Sequence, residues 1–184
     1  LDLKDFIILK KAKENNVFIS GPMSKKISLK NNENLAIKAL KLMQEKAFAN
    51  EFYNIYLEKN IPVAAGLGGG SADAAAIIRY FIRKIPVGET KKKRALLLSL
   101  GSDVPACYYS KPMQISGVGE NINIIRNYNK KHLTEIGIVL VNPNISISTK
   151  EVFSKLKFDP KKISFPIISN LNSLDGALKA LQYG

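Results

Sequence analysis

Residues Ile61–Phe81 read IPVAAGLGGGSADAAAIIRYF, and this stretch decides the fold. Gly66, Gly68, Gly69 and Gly70 fall within five residues, interrupted only by Leu67. Glycine at this density costs backbone entropy, so a folded chain keeps it where the main chain turns sharply or touches a ligand. Ahead of it, Phe52, Asn54 and Tyr56 alternate with Tyr53, Ile55 and Leu57, which predicts a strand. Behind it, Ala72–Arg83 is alanine and long aliphatics without proline or glycine, which predicts a helix. Strand, glycine loop and helix start together aim free N–H groups and a positive dipole end at one place, an arrangement that suits a phosphate. A structural crossing of two close backbones is the other reading of the same glycines. The loop is not of the Walker type, since no Lys-Ser or Lys-Thr pair follows it. It also fails the dinucleotide spacing, because Ser71 stands where the third glycine belongs. Ser71 is expected to cap the helix, and Asp73 to answer its dipole.

Upstream, Phe6–Lys10 and Asn16–Ser20 read as strands joined through Glu14-Asn15-Asn16, a hairpin expectation. Gly21-Pro22 ends the pair, and Lys26–Leu29 is read as a further short strand. Glu33–Lys46 carries Ala36, Ala39, Leu40, Met43 and Ala47 at spacings of three and four, an amphipathic helix with Asn31 or Asn32 as its cap. Downstream, Glu89–Leu100 reads as a third helix ending at Gly101. Met113–Ser116 and Asn121–Ile125 read as strands around Gly117-Val118-Gly119, Ile136–Val141 as an apolar strand, and Ser148–Glu151 as the start of a helix.

The second place for chemistry is Gly101-Ser102-Asp103-Val104-Pro105. Asp103 lies in a turn of small residues rather than on a lysine-rich surface, so it is the best carboxylate here to orient a hydroxyl and take its proton. A cap or turn hydrogen bond is the structural alternative. Glu120 is a weaker candidate, Tyr108 and Tyr109 read as core or pocket wall, and His132 as exposed.

The 184 residues suffice for one domain and part of another, at 46% hydrophobic and 23% charged. A lone cysteine, Cys107, excludes an intrachain disulfide and reads as a small buried hydrophobe, consistent with a reducing cytoplasm. No stretch is long and apolar enough to predict a membrane span. The net charge of +13 comes mostly from scattered lysines, so no specific nucleic-acid partner is expected, although the field favours nucleotides and phosphorylated metabolites.

Several segments together carry a family resemblance: LDLKD, NNENLAIKALKLM, LEKNIPVAAGLGGGSADAAA, GSDVPACYY, ISGVGENI and VNPNISISTKEVF. The chain resembles the GHMP kinase superfamily and, within it, the 4-diphosphocytidyl-2-C-methyl-D-erythritol kinase family. The resemblance implies a two-layer α/β fold, with residues 1–133 as an N-terminal domain of the ribosomal-protein-S5-domain-2 type and residues 134–184 as the start of a C-terminal domain. It implies a transfer from ATP, with Mg²⁺, to the 2-hydroxyl of the methylerythritol moiety of a small-molecule substrate. By motif, Pro62, Val63, Ala64, Ala65, Gly66, Leu67, Gly68, Gly69, Gly70, Ser71 and Ala72 wrap the nucleotide's phosphates. Asn34 and Leu35 line the nucleotide side, Lys59 lies near the adenine, and Asp103 is the catalytic acid-base residue. Ala72 stands where the family has a second serine. The family's opening strand, with its lysine and Gly-Tyr-His segment, and most of its C-terminal domain have no counterpart here. The expectation is therefore a nucleotide-binding chain with an uncovered sheet edge and little turnover of its own, and another small-molecule kinase of the superfamily is the alternative.

Overall fold

A computed structural model describes residues 3–27, 34–82, 91–125, 139–141, 151 and 154–155, with the side chain of Lys26 set aside. The chain divides into two compact units, Leu1–Ser110 and Lys111–Gly184. The expected boundary at 133/134 lies outside the described residues.

In the first unit, β1 (Phe6–Ala12), β2 (Asn16–Ser20) and β3 (Phe52–Glu58) form one sheet. The expected hairpin between β1 and β2 is not there. The order is β1-β3-β2, with β3 antiparallel to β1 and parallel to β2. The reason lies in β3, which buries Ile55 and Leu57 and pairs through both of its edges. The Lys13–Asn15 link therefore steps across the end of β3, about 9–10 Å for two strand spacings. Asn15 makes the step possible. Its Oδ1 accepts from Tyr53 N (3.0 Å) and its Nδ2 donates to Gln44 Oε1 (2.7 Å), so the backbone group exposed at the crossing is satisfied.

The parallel β2–β3 pair needs a crossover, and α1 (Leu35–Glu45) supplies it. Asn34, rather than Asn31 or Asn32, caps this helix by accepting from Ala36 N at 2.8 Å. Ala36, Ala39, Leu40 and Met43 are buried as the spacing predicts, and Ile37 is buried with them. Ala47 is not on that face: it lies past the helix end with φ 57° and is exposed. The Lys26–Leu29 expectation is also corrected, since Ser24–Lys26 is a 3₁₀ turn; residues 28 and 29 lie outside the described residues.

Helix α2 (Gly69–Ile82) packs beside α1 over the sheet. It begins three residues earlier than the alanine run predicts, which puts Ser71 inside its first turn rather than at its cap. Helix α3 (Lys91–Leu98) contributes Leu97 to the core, and the short α4 (Val104–Tyr109) contributes Val104. The opposite face of the sheet carries Phe6, Ile8, Phe18 and Tyr56, all exposed. There the Phe18 and Tyr56 rings stack 5.1 Å apart, and Lys10 Nζ covers Tyr56 at 5.2 Å from its centroid.

In the second unit, β4 (Met113–Ser116) and β5 (Asn121–Ile124) pair antiparallel around Gly117–Glu120, as expected. Val139, Leu140 and Val141 are exposed and not in a strand, contrary to that part of the Ile136–Val141 reading; residues 136–138 lie outside the described residues. Glu151, Ser154 and Lys155 are helical, in line with the helix expected there.

Replacing Asn15 by alanine leaves the Tyr53 amide without its acceptor at the crossing. The expected cost is about 1–3 kcal/mol in urea unfolding; a loss within experimental error of zero would remove Asn15 from the account of the topology.

Candidate functional site

The glycine loop is shaped from both of its ends. As the chain leaves β3, Asp5 Oδ1 accepts from Asn60 N (2.6 Å) and Ile61 N (2.8 Å), which fixes the entry. Within the loop Ala64 (φ 55°), Gly66 (φ 71°) and Gly68 (φ 65°) are left-handed. That is easy for the two glycines and strained for the alanine, a local cost found at ligand clamps. Beyond them, Ala72 N donates to Gly68 O at 2.8 Å, the first bond of the α2 ladder. The amides of Gly69, Gly70 and Ser71 precede that bond and so lack an acceptor within the helix.

Space around the loop is one-sided. A methyl built on Gly66 would meet nothing within 4 Å, whereas one on Gly69 would press on Ile61 at 3.1 Å and stand 3.4 Å from Lys59 Nζ. One on Gly70 would stand 3.6 Å from Leu35 Cδ1. The loop is thus packed on its inner side and open on its outer side, where Ala64, Gly66, Leu67 and Gly70 are exposed. Open amides at a helix start fit a polyphosphate. Leu35 does lie against the loop, and neighbouring Asn34 spends its side-chain oxygen on the α1 cap.

Asp103 precedes α4, the helix that touches the loop. It stands at the N-cap position, yet its side chain makes no capping bond and is exposed, with Ser102 Oγ 3.5 Å from Oδ1. The capping role is therefore not filled, and among the described residues the one side-chain hydrogen bond of Asp103 is the long one from Ser102 in the same turn. One turn along, Cys107 Sγ lies 3.9 Å from Gly68 O, so the helix that begins at Asp103 rests on the glycine loop. Burial, helped by the charge of Asp103, pushes the Cys107 thiol above its ordinary value, as befits packing rather than nucleophilic use.

Arg79, which the sequence reading overlooked, holds the two helices together. From α2 its guanidinium donates to Cys107 O (3.0 Å), Tyr108 O (3.2 Å) and Ser110 Oγ (3.1 Å), closing the carbonyl end of α4. Its position in the last turn of an alanine-rich helix was the available signal. Tyr108 and Tyr109 pack against the core, with Lys93 Nζ 5.3 and 5.6 Å from their ring centroids.

Asp73 does not serve the helix dipole from the surface. It is buried, and Lys59 Nζ donates to its Oδ2 at 2.7 Å and also to Asp5 Oδ2. Burial raises the Asp73 carboxyl to about 6, against the opposing pull of Lys59. Asp5 goes the other way: its burial is outweighed by the Ile61 amide, Lys59 and the Asn60 amide, which together hold it below the ordinary value. Lys59, expected near the adenine, has a side chain only 4% exposed and gives its ammonium to these two carboxylates.

Glu120, in the second unit, accepts from Val118 N at 2.6 Å and holds the β4–β5 turn. His132 lies outside the described residues. Among the described residues there is no group of three or more His, Cys, Asp or Glu that could hold a metal ion, and no helix long and apolar enough to cross a membrane. A cavity of about 670 Å³ opens near the far end of α2, among Leu42, Phe48, Ile82 and Leu96. It is roughly 20 Å from the glycine loop along the helix axis and shares no residue with it.

The chain is similar to known proteins over much of its length. Residues 34–111, from the α1 cap to just past α4, match the GHMP kinases N terminal domain. The chain is 36% identical over 159 residues to a 4-diphosphocytidyl-2-C-methyl-D-erythritol kinase of Agrobacterium fabrum, covering 83% of this chain and 52% of that protein. It is 42% identical over 134 residues to the enzyme of the same name from Clostridium tetani, covering 72% and 45%. A crystal structure of 4-(cytidine 5'-diphospho)-2C-methyl-D-erythritol kinase superposes with a TM-score of 0.51 at 33% identity, over 66% of this chain and 42% of that one. The chain spans about half the length of the curated relatives it matches.

The two carboxyl shifts set a pH signature for stability. Asp5, lowered, contributes stability above its unfolded value that is lost only in strong acid. Asp73, raised, contributes stability that is full below its unfolded value and lost as pH climbs through about 6. The urea midpoint of the wild type should therefore fall relative to that of Asp73→Asn between roughly pH 4 and pH 7. A difference that stays flat or grows over that range would contradict the burial assigned to Asp73.

Proposed function

Since the chain is homologous to the GHMP kinases, and within them to the 4-diphosphocytidyl-2-C-methyl-D-erythritol kinases, at moderate identity over much of its length, we propose that its glycine loop binds ATP for phosphoryl transfer to a hydroxyl. The observation that carries the reading is the seating of α4 on the loop through Cys107 and Gly68, one helical turn from the exposed carboxylate of Asp103. ATP with Mg²⁺ supplies the phosphoryl group when bound.

The chain's own groups divide the remaining work. The amides of Gly69, Gly70 and Ser71 and the left-handed turns at Gly66 and Gly68 hold the phosphates and spread their charge over fixed dipoles. Leu35 and Ile61 wall the loop and limit how it can relax. Asp103 orients the acceptor hydroxyl and receives its proton at a carboxylate oxygen as the new oxygen–phosphorus bond forms. The acceptor that the homology favours is 4-diphosphocytidyl-2-C-methyl-D-erythritol, with transfer to its 2-hydroxyl giving the 2-phosphate and ADP.

Calorimetric titration with Mg²⁺-ATP, and radiolabel transfer to that acceptor, test the reading together. Asp103→Asn should keep nucleotide affinity within about twofold and lower transfer by about a hundredfold or more. Gly68→Val should abolish nucleotide binding, because the left-handed φ of 65° strains a branched side chain and forces the loop out of its shape. Failure of the wild type to bind ATP would overturn the phosphate reading; undiminished transfer by Asp103→Asn would overturn the role of the carboxylate.

A further inference from the structure

Behind the loop lies a charged group that the proposed chemistry does not use. Lys59 is fixed through its main chain: its N donates to Ser20 O at 2.8 Å, and its O accepts from Met23 N at 3.1 Å. A methyl on Gly21 would come within 2.6 Å of Lys59 O, so β2 runs hard against this residue. Its side chain is equally committed, with Nζ on Asp73 Oδ2 at 2.7 Å and on Asp5 Oδ2, and all three side chains are no more than 5% exposed. Asp5 in turn takes the Asn60 and Ile61 amides at the loop entry, while Asp73 belongs to the second turn of the helix at the loop exit. The ammonium stands 3.4 Å from where a side chain on Gly69 would begin. One buried cation thus ties the two ends of the glycine loop to each other and backs its most crowded residue.

Stability alone gives a weak reason for such a group. Burying charges costs desolvation that pairing returns only in part, and apolar replacements of whole buried pairs are often neutral or better. Holding Asp73 ionised at neutral pH runs against its burial. The titratable groups that face it are Lys59 at the end of β3, Asp5 ahead of β1 and Cys107 on α4, and the residues that α1 buries are all apolar.

We propose that Asp73 is a positioning residue of the nucleotide site, which together with Asp5 clamps Lys59 against the back of Gly69 and so fixes the loop amides for phosphate. The inference rests on the reading of the loop as an ATP site. It assigns Lys59 a role behind the phosphates instead of a contact with the base. Its signature is therefore selective: loosening the clamp weakens ligands in proportion to their phosphates and leaves the nucleoside alone.

The test is calorimetric titration of the whole chain with ATP, ADP and adenosine. Asp73→Asn keeps an acceptor for Lys59 and removes the charge. It should bind ATP and ADP about tenfold more weakly while adenosine stays within about twofold. The triple variant Asp5→Asn/Lys59→Met/Asp73→Asn removes the whole ion group, which buried charges tolerate better than loss of one member, and should show the same selective loss. Acidification from about pH 7.5 to about pH 5.5 should narrow the wild-type preference for ATP over adenosine more than that of Asp73→Asn, a change that a merely structural role would not produce. Wild-type affinity for all three ligands in both variants would overturn the inference while leaving the ATP reading intact. Equal weakening of adenosine and ATP would overturn it in favour of Lys59 acting at the base. A wild type that binds no ATP would overturn both at their common premise.

Discussion

The ammonium of Lys59, shared between Asp5 and Asp73, is the interaction on which the first unit depends. The three residues come from the lead into β1, the end of β3 and the second turn of α2, so their meeting fixes where the sheet hands the chain to the helix. Removing one partner would strand charge in the interior at a cost of about 3–5 kcal/mol. The hydrophobic layer beneath, built from Ile55, Leu57, Leu40, Met43, Ile77 and Ile78, holds helices to sheet but is non-directional. The ion group and the Asp5–amide bonds add direction, and direction is what a loop of open amides needs.

A second link runs through the helices. Arg79 draws the carbonyl end of α4 onto α2, and Cys107 rests on Gly68. The carboxylate at the start of α4 is therefore referenced to the same helix that carries the loop amides. On the proposed reading, loop amides and a carboxylate carried by this pair of helices would meet the demand of phosphoryl transfer for positioning over covalent chemistry. The position of Asp103, exposed and unused as a cap, is consistent with a group kept available for a ligand.

Much of this was legible in the sequence because it rests on local patterns. The α1 stripe, the strand–glycine–helix succession and the Gly117–Glu120 turn all announce themselves within a dozen residues. What failed was non-local. The Asn15-Asn16 turn chemistry is real, but it serves a step across the end of β3, and only β3's need for two neighbours decides that. The start of α2 was misplaced because Gly69 and Gly70 have poor helix propensity that the packing against Leu35 and Ile61 overrides. Asp73 reads as an ordinary helix-start acid in one dimension; its burial depends on Lys59 and Asp5, fourteen residues away and far upstream. Arg79 is one basic residue in an apolar helix, and nothing nearby indicates that its partners are the carbonyls of α4.

The central claim is that the amides around Gly66–Ser71 receive phosphate within reach of Asp103. Amide chemical-shift mapping by NMR during titration with Mg²⁺-ADP addresses it most directly. The account predicts that the largest shifts fall on Gly66–Ala72 and on the first turn of α4, from Asp103 to Cys107. Shifts confined to the cavity around Leu42, Phe48 and Ile82, with the glycine loop silent, would contradict it.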